Sequence, residues 1–144
     1  MNERDHLFYL EELKRVTAPG AVLMLTVCGL RVIERAEQEP AVLGMLAMSP
    51  DELARSRDAL DHGNGFRFVR LECHLTSETY EYGNTFISPS YIEQRWSQYF
   101  EIEKVVPGAI HDFQDIVVLR RAARDAVPSR ESADLQQQPI MSST

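Results

Sequence analysis

His111, Asp112, Gln114 and Asp115 stand almost side by side and carry the side chains best suited to moving a proton. An imidazole titrates near neutrality, so His111 could take the proton of a hydroxyl, with Asp115 or Asp112 orienting the ring. The same residues also read as a solvated loop histidine and an aspartate that caps hairpin amides. Tyr80 and Tyr82 could line an apolar pocket or form cross-strand surface pairs. Cys28 closes the apolar run that starts at Ala21, which points to a buried, inert thiol rather than a nucleophile. Cys73 and His74 are neighbours, but no second pair stands at ligand spacing, so no metal site is expected.

The elements that must hold these residues begin with the stretch Glu12 to Gly29. It reads as the end of an amphipathic helix, a Pro19-Gly20 turn and a strand. Proline presets φ and glycine takes the positive φ of a type II turn. Ala21 to Cys28 is an almost unbroken apolar run, so the strand is expected to be covered on both faces, as in the parallel sheets of α/β proteins. Before it, Asp5 to Val16 reads as a helix with Asp5 as N-cap and Leu7, Leu10, Leu13 and Val16 on its apolar stripe. After it, Arg31 to Gln38 is helix-prone until Pro40 interrupts. Met45 and Met48 then read as core, or as a plastic wall facing a ligand.

Ser49-Pro50-Asp51-Glu52 is a helix start: a cap, a proline in the first turn and a glutamate placed to close a capping box. That helix should reach about Leu60. Phe66 to Leu71 and Thr79 to Ser88 read as strands that could form a hairpin, and Ser88-Pro89 starts another helix. Ile92, Trp96 and Tyr99-Phe100 share its apolar face. Glu101 to Val106 is expected as a short strand, Pro107 to Phe113 as a loop, and Gln114 to Arg121 as the last strand. From Ala122 the composition turns to Ser, Gln, Pro and charge, which predicts a disordered tail over 122–144.

The chain has 144 residues, room for one domain, and a formal charge of −7. That acidity argues against nucleic acid as a partner, which needs a basic footprint. No apolar run reaches membrane-spanning length, and the charged start MNERDHLFYL has no signal-peptide core. Two cysteines make no disulfide framework, so a reducing cytoplasm is the expected location.

Three blocks, in order, carry a resemblance to a family. Leu10-Glu11-Glu12-Leu13-Lys14-Arg15-Val16 followed by Pro19-Gly20 is similar to the stretch L-x-E-L-x-R-V-L-x-P-G-G of class I S-adenosylmethionine-dependent methyltransferases, which leads into the fifth strand of their sheet. Tyr82-Gly83-Asn84-Thr85-Phe86-Ile87-Ser88, with Tyr91-Ile92 and Trp96, resembles a block in one branch of these enzymes. Gln114 to Arg121 resembles their closing strand. The resemblance covers Asp5 to Arg121, the carboxyl-terminal half of such a domain. It departs at Ala21, where the family has a second glycine, and at Cys28, where the branch often has histidine.

The resemblance implies an α/β fold: a partial Rossmann-like sheet with central parallel strands, a C-terminal antiparallel hairpin, and residues 30–87 inserted as a substrate lid. It implies methyl transfer from S-adenosylmethionine to oxygen or nitrogen of a small molecule. His111 and Asp115 would be catalytic, and Cys28, Tyr80, Tyr82 and Gln114 would meet the substrate at the rim beyond the strand ends. The family's Gly-rich cofactor loop has no counterpart here, since His62-Gly63-Asn64-Gly65 ends a helix and precedes a strand. The chain is therefore expected to be inactive alone and to bind the cofactor weakly or not at all. Its expected partners are the substrate and either a complementing N-terminal half or a second copy. The second copy would join through the unpaired edge of the central strand, and that edge also allows a non-catalytic interaction module.

Overall fold

A computed structural model describes residues 1–73, 75–78 and 80–123. His74, Thr79 and the tail from Arg124 to Thr144, on which three of the sequence expectations fall, lie outside the described residues. The elements are helix α1 (Glu3–Val16), strand β1 (Val22–Val27), helices α2 (Leu30–Gln38), α3 (Pro40–Met45) and α4 (Pro50–Asp61), strands β2 (Phe66–Arg70) and β3 (Gly83–Ile87), helix α5 (Pro89–Arg95) with a 3₁₀ turn at Trp96–Gln98, and strands β4 (Glu101–Ile110) and β5 (Gln114–Arg120).

The chain is mixed α/β, and both of its sheets are antiparallel. The larger has the order β1-β5-β4; the smaller is the hairpin β2-β3. The only parallel pairing among the described residues is an isolated bridge between Cys28 and Phe86. Because β1 and β4 both run antiparallel to β5, they run parallel to each other with the last strand wedged between them.

Local chemistry sets most boundaries. Gly20 has φ +79°, and the Ala21 amide bonds the Ala18 carbonyl at 3.0 Å, which closes the expected type II turn into β1. Ser49 and Ser88 cap α4 and α5 through the amides of Glu52 and Tyr91. The cap of α1 is Asn2, not Asp5: its side chain accepts the Asp5 amide at 2.9 Å. The β4 strand is longer than expected, running through Pro107 and Gly108 with register shifts after Ile102 and Val106. The turn is thereby confined to the residues after Ile110, where His111 and Asp112 take positive φ.

One face of β1-β5-β4 is covered and the other is bare. Val27, Val117 and Leu119 pack with Leu10 of α1 and with Ile92, Trp96 and Phe100, joined by Leu23, Leu25, Ile102 and Val105. On the opposite face Val22 and Met24 are 52% and 66% exposed, so β1 is not covered on both sides. The apolar run lacks a partner layer on that face. Residues 30–87 build a second core of their own, with Val32, Ile33, Val42, Leu46, Leu53 and Leu60 against Val69 and Phe86. Met48 belongs to it, whereas Met45 is exposed. In α1, Leu10 is buried but Val16 at the end of the predicted stripe is exposed.

Candidate functional site

The carboxyl end of β1 meets the amino end of α2 and the β4–β5 turn. Gly29 is the N-cap of α2. A Cβ there would overlap the carboxylate of Asp115. Asp115 sits opposite Val27 in the β1–β5 register and is 3% exposed. Its Oδ1 accepts the Gly108 amide at 2.8 Å. Burial pushes its pKa up, against the opposing effect of that hydrogen bond.

Cys28 lies half-buried beside Gln114. Burial raises its thiol pKa more than the Gln114 hydrogen bond lowers it, so it is an inert thiol at neutral pH. A groove of about 560 Å³ runs from these two residues along the open edge of β1, walled by Tyr9, Leu10 and Leu13 of α1.

His111 lies on the other side of Gln114. With Arg35, Val42, Met45, Ile110 and Phe113 it borders a hollow of about 400 Å³. Met45 thus stands outside the core, at the border of this hollow. The turn that carries His111 is held by α2. Arg31 grips Asp112 with both ends of its guanidinium, Nε to Oδ1 at 2.6 Å and Nη2 to Oδ2 at 2.5 Å. Arg35 donates to the carbonyls of His111 and Asp112 at 3.3 and 3.2 Å. The Arg31 hydrogen bonds hold the Asp112 carboxyl below its usual range. Asp112 is therefore committed to Arg31 and Asp115 to Gly108, and neither bonds the His111 ring. The expected His–Asp pair is not formed in this arrangement.

Tyr80 and Tyr82 are exposed and border a separate hollow with Asn2, Asp5 and Tyr9. Both precede β3, which begins at Gly83, and the Tyr82 carbonyl accepts the Leu71 amide across the hairpin at 2.9 Å. Of the six residues predicted for a site, Cys28, Gln114, Asp115 and His111 thus share one rim. The two tyrosines line a different hollow, beside the amino end of α1.

Two features went unread in the sequence. Arg31 and Arg35, one helical turn apart, are the clamps on the rim, and their spacing was the available signal. His6 is the other. Its ring lies among Phe66, Tyr91 and Trp96, and its Nε2 accepts the Trp96 indole N–H at 2.9 Å. Desolvation drops its pKa from 6.5 to about 4. Spacing of His6, Leu10 and Leu13 on one stripe carried that information.

The rim does not fit the adenosine cofactor of the family it resembles. Its strand-to-helix turns are Cys28-Gly29 into α2 and Ser88 into α5, neither with the Gly-x-Gly spacing. At Gly29 the space is already taken by Asp115. Among the described residues no three metal-ligating side chains converge, and no helix is long and apolar enough to cross a membrane.

Compared with protein-family models, curated proteins and solved structures, the chain matches none. Fold and site together define a mixed α/β chain with a polar rim at the carboxyl end of the edge strand β1.

Proposed function

We propose that this chain supplies the acceptor side of an S-adenosylmethionine-dependent methyl transfer, with the cofactor bound by strands that extend the sheet from the open edge of β1. The observation that carries this reading is the strand order β1-β5-β4. Two strands of one direction with a last strand of the opposite direction between them are compatible with the carboxyl-terminal end of a sheet whose central strands are parallel. The bare face and open edge of β1 are where further layers and strands of such a sheet would lie.

The chemistry asked of this chain is placement. Methyl transfer needs the acceptor atom held in line with the sulfonium, and positioning supplies much of the rate. The hollow at His111 offers an apolar wall and an imidazole that can take the acceptor's proton. Gln114 lies between that hollow and the groove beside β1, where cofactor and acceptor would meet. No Gly-x-Gly turn follows a strand among the described residues, so on this reading the cofactor strands are supplied by another segment or another chain.

The test is titration with S-adenosylhomocysteine, first of the purified folded chain and then of the chain paired with the Gly-rich N-terminal half of a class I methyltransferase. Binding is expected from the pair and not from this chain. A folded pair that stays silent overturns the proposal. The open edge also supports a second reading, a non-catalytic module that works by accepting a strand. In that case His111→Ala in a strand-paired complex leaves its function intact.

A further inference from the structure

We infer that the hollow lined by Tyr9, Tyr80 and Tyr82 is a binding site for a small free organic cation that carries a quaternary ammonium group. The inference uses residues outside the rim at His111 and does not depend on methyl transfer.

The hollow holds about 330 Å³ beside the amino end of α1, at the small end of the range for ligand sites. Tyr9 comes from α1, one helical turn beyond Asp5, and Tyr80 and Tyr82 come from the segment that leads into β3. The three side chains are 56%, 61% and 40% exposed. Tyr9 meets Phe8 edge to face, and among the described residues none of the three rings packs against another. They line one space and leave it open. An aromatic ring carries a negative face, so rings gathered round a hollow attract a cation.

Charge points the same way. Asp5 and Glu81 line the hollow, and no Lys or Arg side chain does. The Asn2 amide spans the two carboxylates, donating to Asp5 Oδ2 at 3.2 Å and to Glu81 Oε2 at 3.4 Å. Among the described residues neither carboxylate forms an ion pair. The Met1 ammonium feels both of them but bonds the Thr85 hydroxyl at 3.0 Å instead. Two carboxylates against one ammonium leave the hollow with a net negative charge. A primary ammonium would have to compete with Asn2 for those carboxylates, since it needs acceptors for its N–H groups. A quaternary ammonium donates no hydrogen bond and is held by the rings and the surrounding charge. A phosphate attached to that ligand would find no cation in the lining, which favours a free cation over a phosphocholine headgroup.

Titration of the full chain with choline, followed by the ring-proton magnetic resonance signals of its tyrosines, is the test. Saturable shifts are expected. Neohexyl alcohol, which has the shape of choline without its charge, should bind about tenfold more weakly, and ethanolamine and phosphocholine should also bind less tightly than choline. Tyr80→Leu and Tyr82→Leu should each raise the choline dissociation constant about two- to fivefold, the weight of one exposed cation–π contact, whereas Tyr80→Phe keeps the ring and should leave it unchanged. Both tyrosines are exposed, so circular dichroism should be the same in all three variants. A folded chain that shows no saturable shift overturns the inference, as does neohexyl alcohol binding as tightly as choline. Choline binding indifferent to both leucine variants overturns the site. Ethanolamine or phosphocholine binding as tightly as choline overturns the choice of a free quaternary ammonium. None of these readouts involves S-adenosylhomocysteine, so their failure leaves the methyl-transfer reading untouched.

Discussion

A neutral imidazole at position 6 holds the indole of Trp96, and its neutrality has a pH signature. The folded pKa of His6 lies near 4, below the ordinary 6.5, so the unfolded chain binds the extra proton more readily. The stability tied to neutral His6 is whole above pH 6.5 and drains away as pH falls toward 4. Melting temperature should fall over that window, and in His6→Gln that part of the fall should disappear. Asp115 has the opposite sign. Its folded pKa is raised above the ordinary 3.8, so the stability it gives is present below that value and lost as pH rises through the folded one. Asp115→Asn keeps an oxygen for the Gly108 amide and removes the buried charge. It should melt higher than the wild type at pH 7, and the loss of stability on that rise should be absent. Both residues were visible in the sequence as types. Their environments were not, because burial of a histidine on a helix depends on which face the rest of the chain covers.

At the scale of elements, the sequence was most readable where a few neighbouring residues decide the backbone. The Pro19-Gly20 turn and the two Ser-Pro starts are of this kind, and all three stand where local chemistry puts them. The two caps should differ in weight. Ser88 is 2% exposed, so its loss leaves the Tyr91 amide without water to replace the hydroxyl. Ser88→Ala should cost about 2 kcal/mol and Ser49→Ala, at a solvated helix end, about 1 kcal/mol, by chemical denaturation. Strand β4 was misjudged because Pro107-Gly108 reads as a loop opening. An edge strand tolerates a proline, since the missing amide faces no neighbour, and Gly108 with φ +61° absorbs the shift in register. The apolar run of β1 gave its strand character correctly. It could not say what covers each face, because that depends on layers far away in sequence.

At the scale of the whole chain, the rim at the end of β1 was legible as a set of residue types and its clamps were not. The sequence placed His111, Gln114 and Asp115 together by proximity alone. Its reading of Asp115 as a cap on hairpin amides holds, since Asp115 accepts the Gly108 amide, but its pairing of Asp112 with His111 does not, since Arg31 lies far away in the chain and only the fold brings its guanidinium to Asp112. Arg31→Ala should release the turn. The expected readout is faster amide exchange at Asp112 and Phe113, whose hydrogen bonds to Gly108 and Ile110 close the turn, with little change in helix content.

The β2-β3 hairpin joins the two cores. Phe66, Phe68 and Ile87 point from it toward Trp96, while Val69 and Phe86, on alternate positions, point the other way into the cluster of α2 and α4. A strand whose two faces serve different cores cannot let go of one and keep the other. The molecule should therefore melt as a single cooperative unit although its packing is divided. Trp96, the only tryptophan, reports from one side of the hairpin alone. Phe86→Ala on the other side should lower its fluorescence midpoint by the full effect of the lost ring, about 3–5 kcal/mol. Two separate transitions, one for each side, would mean the hairpin is a seam rather than a spine.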